Sequence, residues 1–236
     1  MTESLLLWRK EGLLAVNKPA GVLVVPGRRE KASLRQQLEA ALGQPVWIIH
    51  RLDRDTSGVL LVALDAASHR AASLAFESGS VDKHYLALVR PPLQTALLVD
   101  APLLPARRGR MRLANAGEGG KPAQTRLRPL ERYQKAGLVE AQPLTGRTHQ
   151  IRLHLQAAGS PLLVDPQYGR PEAITEAELG GPHEAVVLAR TPLHAARLVL
   201  RSRNLPDVDV EAPLPPDMRQ ALSLLRHQGP TVKGGD

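Results

Sequence analysis

Cysteine is absent from the 236-residue sequence, which excludes disulfides, thiolate metal sites and a cysteine nucleophile and makes the cytoplasm the expected compartment. Aromatic residues are scarce: one Phe, two Trp and three Tyr, so the position of each carries information. Long apolar runs are missing as well. All fall far short of the roughly 20 residues of a membrane-spanning helix. The start, Met1-Thr2-Glu3-Ser4-Leu5, has neither the basic residues nor the continuous apolar region of a signal peptide, so no membrane partner is expected. There is no internal repeat, low-complexity tract or linker. Residues 1–228 are therefore expected to form a single domain, with 229–236 as a disordered tail.

What is present is a core-forming chain with a cationic bias. Hydrophobic residues make up 43% of it, enough for a substantial core, and the net charge of +8 comes mostly from arginine. The planar fork of arginine matches phosphate and stacks on bases, which favours a nucleic-acid partner. On charge alone, a basic protein with no such partner is an equal reading.

Hydropathy patterning points to an α+β chain. Residues 5–8 and 13–17 read as two short strands about the Glu11-Gly12 turn, and 22–25 as a third, so the chain is expected to begin as a β meander. Residues 33–42 have helical spacing with Ser33 as N-cap, and Asp65 is placed to cap a second helix through about Glu77, closed by Gly79. Residues 83–89 alternate as a strand, with Lys83, Tyr85, Ala87 and Val89 on one face, and Pro91-Pro92 ends it. Regular pattern weakens over 93–124. That stretch reads as an insertion with short strands and a mobile basic loop, Arg107-Arg108-Gly109-Arg110-Met111-Arg112, for which plain solvation competes with phosphate contact. Strands follow near 125–133 and 138–143. Ile151 and Leu155, four apart, then mark a helix packed along one stripe, capped by Thr148 and ended by Gly159, with His149, Arg152 and Gln156 on another face. Residues 161–165 and 193–200 read as strands. A last helix has Asp217 at its N-cap and buries Met218, Leu222 and Leu225.

The densest polar feature is His50-Arg51-Leu52-Asp53-Arg54-Asp55-Thr56-Ser57-Gly58, a charged loop held between the apolar runs 46–49 and 59–63. Three chemistries compete for it. Asp53-Arg54-Asp55 is formally a metal-binding Asp-x-Asp, but Arg51 and Arg54 oppose a cation there. His149 and His154 are five apart, which does not align two imidazoles on a helix, so hydrogen-bonded structural histidines are the better reading. Paired-carboxylate hydrolysis needs Asp53 and Asp55 to point the same way, as in an extended loop, whereas a turn separates them. The third is a single carboxylate acting as nucleophile or base and kept ionised by an arginine, for which Arg152, anchored on a helix, is the best candidate.

The stretch 50–63 resembles the signature of RluA-type RNA pseudouridine synthases. Six further segments match that family in the same order: Asn17-Lys18-Pro19-Ala20-Gly21, Lys83-x-Tyr85-x-Ala87-x-Val89, Thr145-Gly146-Arg147-Thr148-His149-Gln150-Ile151-Arg152-x-His154, Asp165-x-x-Tyr168-Gly169, Leu193-His194-Ala195 and Ala212-Pro213-Leu214-Pro215-x-Asp217-Met218. The resemblance implies the pseudouridine synthase fold: one α+β catalytic domain with a mixed, mostly antiparallel bent sheet flanked by helices and loops, and an active site in a basic cleft. It implies that Asp53 is the catalytic aspartate, that Tyr85 lies against the target base, that Arg152 pairs with the Asp53 carboxylate and that Arg51 helps to displace the target nucleotide. Arg54, Arg147, His149 and Gln150 are expected to join Arg51 in binding RNA, and Asp55, Thr56, Ser57 and Gly58 to support the loop. Asp55 would serve as an acceptor for backbone groups of its turn.

The implied reaction breaks the uridine N1–C1′ bond, turns the detached uracil and joins C5 to C1′, with no metal or other cofactor and with a flipped-out nucleotide. Whether Asp53 attacks the sugar, attacks the base or removes a sugar proton is open at this level. The partner is RNA, ribosomal or transfer, and the enzyme is expected to act as a monomer. Two departures stand out: Val25-Pro26 replaces the usual His-Pro, and Val164 the usual glycine before Asp165. Residues before Asn17 are too few for the S4-type module of many relatives, so the resemblance is to a stand-alone catalytic domain whose own basic cleft, helped by residues 107–112, would bind a compact stem-loop. The rival readings are a non-catalytic RNA-binding ribosome-assembly factor on the same fold and a metal-dependent nuclease.

Overall fold

The computed structural model describes residues 5–27, 32–227, 229, 232 and 233. In chain order the elements are β1 (Leu6–Lys10), β2 (Leu13–Lys18), α1 (Leu34–Leu42), β3 (Trp47–Ile48), β4 (Ser57–Ala63), α2 (Ala66–Glu77), β5 (Val81–Val89), β6 (Leu97–Asp100), β7 (Leu103–Pro105), β8 (Met111–Leu113), β9 (Gln124–Arg132), β10 (Gly137–Pro143), α3 (Gln150–Ala157), β11 (Ile174–Thr175), β12 (Val186–Leu188), β13 (Leu193–Leu200), β14 (Val208–Glu211), α4 (Pro216–His227) and β15 (Val232–Lys233). This is the α+β composition read from the sequence. The chain divides into two compact units, one made of Met1–His84 with His194–Pro213 and the other of Tyr85–Leu193 with Leu214–Asp236. No helix among the described residues is long and apolar enough to cross a membrane.

The first unit is built around β4, whose seven residues are all buried. Antiparallel β2 covers one edge of it, from Leu13 opposite Ala63 to Lys18 opposite Gly58. The other edge is shared, with β3 antiparallel beside Val62 and Ala63, and β13 parallel beside Ser57 and Gly58. Alternation sends Val59, Leu61 and Ala63 into one cluster with Ala72 and Ala75 of α2, where Trp8, Trp47 and Phe76 close the margin. Helix α2 begins as expected. The Asp65 carboxylate accepts the Ser68 N–H at 2.8 Å and its hydroxyl at 2.9 Å, which hold the carboxyl below its usual range. Ser33 likewise caps α1, and Gly43 ends it in the left-handed region at φ 65°. The expected strand at 22–25 does not form. The carbonyls of Leu23 and Val24 instead accept the Leu34 and Arg35 N–H groups at 2.8 and 3.1 Å, satisfying the first turn of α1.

In the second unit, β10 pairs antiparallel with β5 on one side and β9 on the other. Side chains alternate across this ladder: Leu88 and Leu138 pack with Met218, Leu222 and Leu225 of α4, whereas Ala87, Val89, Val139 and Ala141 pack with Ile151 and Leu155 of α3. The irregular stretch 93–124 contains β6, paired with β9, and the β7–β8 hairpin.

Three expectations are corrected here. Residues 161–165 form no strand, since only Leu162 bridges Val89. Asp217 is not the cap of α4 but sits in its first turn, where Arg190 grips both of its oxygens at 2.7 and 2.9 Å; Pro216, lacking an N–H, opens the helix. Helix α3 is capped by His149 at φ 56° rather than by Thr148, and all of Gln150 to Leu155 is buried instead of one stripe. Of the tail 229–236, expected to be disordered, Val232 and Lys233 pair with Arg132 and Glu131 of β9, and residues 230, 231 and 234–236 lie outside the described set.

Candidate active site

In the first unit the charged loop is a turn. The Asp53 carbonyl accepts the Thr56 N–H at 3.2 Å, which places Asp53 and Asp55 at the first and third positions of a four-residue turn. The side-by-side alignment needed for paired-carboxylate hydrolysis is a property of extended backbone, and this is not extended. Asp53 and Asp55 are half-buried, and Arg51 and Arg54 are exposed.

The turn is laced to the Lys18-Pro19-Ala20-Gly21 segment. The fully buried Lys18 donates from Nζ to the carbonyls of Arg54 and Pro19, both at 2.8 Å, while the Gly21 N–H also meets the Arg54 carbonyl and Arg54 Nε returns a bond to the Gly21 carbonyl, both at 3.0 Å. Arg54, expected to bind RNA, thus also frames the loop that carries Asp53. Lys18 positions the loop, a role that its place in Asn17-Lys18-Pro19-Ala20-Gly21 does not announce. A buried ammonium satisfied by carbonyls is visible only in three dimensions.

His50 pins the other side of the loop. Its Nε2 accepts the Leu61 N–H at 3.0 Å and its ring stacks on Phe76 at 4.6 Å between centroids. Burial, and next the charge of Lys83, lower the imidazole from 6.5 to about 3. The folded protein therefore holds His50 neutral where the unfolded chain protonates it, so stability falls as pH drops below 6.5 toward 3, at up to about 1.4 kcal/mol per pH unit from this group. His50→Gln keeps an acceptor for Leu61 without a titrating ring. Urea melts between pH 6.5 and 4.5 are expected to show a smaller loss for this variant than for the parent, and equal losses would exclude the His50 imidazole as a source.

Thr56 precedes β4 and Ser57 and Gly58 open it, and all three are buried. His194 Nε2 donates to the Ala212 carbonyl at 3.2 Å, since a carbonyl can only accept, and its Nδ1 lies 3.0 Å from the Ser57 hydroxyl. Neither side chain is open to solvent, so this pair supports the loop rather than attacking a substrate. Gly58 sits at φ 112°, and any Cβ there would overlap the Ala195 backbone of β13. Gly58→Ala is expected to cost about 3 kcal/mol or more in denaturant melts; a cost under about 1 kcal/mol would mean that β4 and β13 separate easily.

In the second unit Tyr85 is half-buried on β5 opposite Ala141, against the cluster that holds α3. Arg152, 7% exposed, projects from α3 and is gripped by Asp165: Nε to Oδ2 at 2.8 Å and Nη2 to Oδ1 at 2.6 Å, with Nη2 also reaching Gln167 at 3.1 Å. The same Oδ1 accepts the N–H groups of Gln167 and Tyr168 at 3.0 and 3.1 Å, so the Asp165-x-x-Tyr168 turn builds the carboxylate that orients the arginine.

Gln150 is corrected from RNA contact to framework. It is 3% exposed, its Oε1 accepts from the Thr145 hydroxyl and the Arg147 N–H, and its amide donates to the Gln124 carbonyl and Thr125 Oγ1, which uses its whole capacity inside the protein. His154 is buried between Thr125 and the Ala101 carbonyl, with its imidazole lowered chiefly by burial. It is a structural histidine, as the spacing indicated. Arg147 is exposed, with Nε on the Pro122 carbonyl at 3.0 Å, and His149 stands 2.7 Å from the Tyr168 hydroxyl. No group of three or more His, Asp or Glu side chains that would hold a metal occurs among the described residues.

Comparison with known proteins bears on both halves of this arrangement. The sequence model of the family described as RNA pseudouridylate synthase matches residues 12–157, which include Asp53, Tyr85 and Arg152. The chain belongs to that family, whose members are isomerases acting on RNA. It is 38% identical over 234 residues to ribosomal large subunit pseudouridine synthase C of Pasteurella multocida, covering 96% of this chain and 69% of that one, and 37% identical over 230 residues to the Escherichia coli protein of the same name, covering 94% and 70%. Among solved structures it is similar to human RNA pseudouridylate synthase domain containing 4, with a TM-score of 0.76 at 26% identity and coverage of 94% and 92%. Human RNA pseudouridylate synthase domain containing 1 matches with a TM-score of 0.70 at 26% identity, covering 98% of this chain and 96% of that one. The pseudouridine synthase fold expected from the sequence is borne out.

Proposed function

We propose that this enzyme isomerises specific uridines of large-subunit ribosomal RNA to pseudouridine. The observation that carries the reading is the 37–38% identity sustained over 94–96% of the chain with relatives named for that activity. Asp53 is the group that starts the reaction, by attacking the sugar or the base or by removing a sugar proton. The N1–C1′ bond breaks, the uracil turns, and C5 bonds to C1′ while the C5 hydrogen leaves as a proton and N1 gains one. The atoms of the nucleotide are otherwise conserved and no electrons are exchanged, so no cofactor is assigned. The uridine must leave its stack to be reached, with Arg51 helping to displace it, Tyr85 supporting the base and Arg152 keeping the aspartate ionised. Arg54, Arg147 and His149 add contacts to RNA. Residues 1–228 act as one catalytic domain, as a monomer and without metal.

The test is tritium release from C5-labelled uridine in large-subunit ribosomal RNA and in transfer RNA, with purified protein. Release from the ribosomal RNA is expected. Release from transfer RNA alone would overturn the substrate, and none from either would favour the non-catalytic RNA-binding reading.

A further inference from the structure

Tyr168, one of only three tyrosines, is left without a task by the reading above. Its main chain closes the Asp165 turn, and its carbonyl accepts Gln156 Nε2 at 2.7 Å. Its ring lies beneath the Arg152 guanidinium, 4.9 Å from the guanidinium carbon to the centroid, and meets the His149 ring edge-on at 5.4 Å. Its hydroxyl accepts the Met111 N–H of β8 at 2.8 Å and lies 2.7 Å from His149 Nδ1. The three residues expected to share a face of α3 all converge on this one residue, His149 and Arg152 on its side chain and Gln156 on its main-chain carbonyl.

Two physical needs meet there. Asp165 and Gln167 hold Arg152 through its guanidinium N–H groups, and the aromatic face beneath it resists a tilt of the guanidinium toward that side. The β7–β8 hairpin has only three residues in each strand, too little to hold itself in water. Its anchorage comes from Leu103, buried with Ala123 and Leu153, and from Met111, Leu113 and Tyr168 packed against them. The turn of this hairpin carries Arg107 and Arg110, and Arg112 in β8 is tied to Glu118 at 2.6 Å.

We propose that Tyr168 is a positioning residue with two separable parts: its ring sets the plane of Arg152, and its hydroxyl latches the basic β7–β8 hairpin to the start of α3. RNA held by the hairpin and the alignment of the arginine then depend on one side chain. The ring half rests on the catalytic role proposed for Arg152; the latch half does not.

Tyr168→Phe and Tyr168→Leu separate the parts, read by single-turnover tritium release against RNA concentration and by hydrogen exchange at the Met111 amide. Tyr168→Phe keeps the packed ring. It is expected to speed Met111 exchange about tenfold and to raise the half-saturating RNA concentration by about tenfold, with the larger share of its loss in that parameter. Tyr168→Leu, which also loses the ring packed beside Met111, is expected to show at least the same change in both and to fall about a further tenfold in saturated rate. Unchanged Met111 exchange in Tyr168→Phe overturns the latch, and equal saturated rates in the two variants overturn the ring support. Arg152→Ala serves as the control: full release from that variant would sink the role of Arg152 while the Met111 result stands by itself.

Discussion

Asp53→Asn is expected to reduce tritium release from C5-labelled uridine by at least about 10⁴-fold, the scale lost when a reacting group is removed while its surroundings stay intact. The substitution conserves shape and removes only charge. Hydrogen bonds of other groups also hold the loop: the turn is closed by the Asp53 carbonyl, and Lys18 and Gly21 each bond to Arg54 across it. Denaturant melts should therefore show a cost of about 1 kcal/mol or less. The two measurements together distinguish a chemical from a structural defect. Release that persists in a well-folded Asp53→Asn protein would remove Asp53 from the chemistry.

Asp165→Asn is expected to damage both stability and rate. The carboxylate takes two bonds from Arg152 and two from backbone N–H groups, and both ends of the ion pair are buried. Breaking a buried pair by altering one partner costs about 3–5 kcal/mol, because the remaining charge stays desolvated. An arginine displaced by about an ångström would then slow the reaction about a hundredfold. The variant should thus melt early and, below its melting temperature, still turn over slowly. A variant that melts early yet reacts at the parental saturated rate would show that Asp165 holds the fold alone.

These two carboxylates show how much was legible in the sequence. Asp53 stood out because five of the nine residues of its loop can carry charge between two apolar runs, and β4 followed from the apolar run 59–63 and α2 from the Asp65 cap. Asp165 stands in a motif that gives it no role, because its partner is thirteen residues back on a helix and its acceptors are filled by a turn that no hydropathy pattern marks. Residues 22–25 look like a strand and are not, since their carbonyls serve the first turn of α1. Gln150 looked like a polar contact for RNA, and only its four internal hydrogen bonds reveal it as framework. In each case side-chain chemistry was readable and the identity of the partner was not.

The pairing of Ser57 with His194 joins residues 137 apart in the chain, and closing a loop of that length costs about 4 kcal/mol of chain entropy. The unit that carries Asp53 is thus discontinuous, started by the first 84 residues and finished by His194–Pro213. A fragment ending at residue 84 would leave the Ser57–Gly58 edge of β4 without its parallel neighbour and Ser57 without its histidine. Exposed strand edges invite association with other chains. The half of the enzyme that looks self-sufficient by motif is therefore not a module that can be excised or fused elsewhere, and biosynthesis must run past Pro213 before the aspartate's loop has its full support.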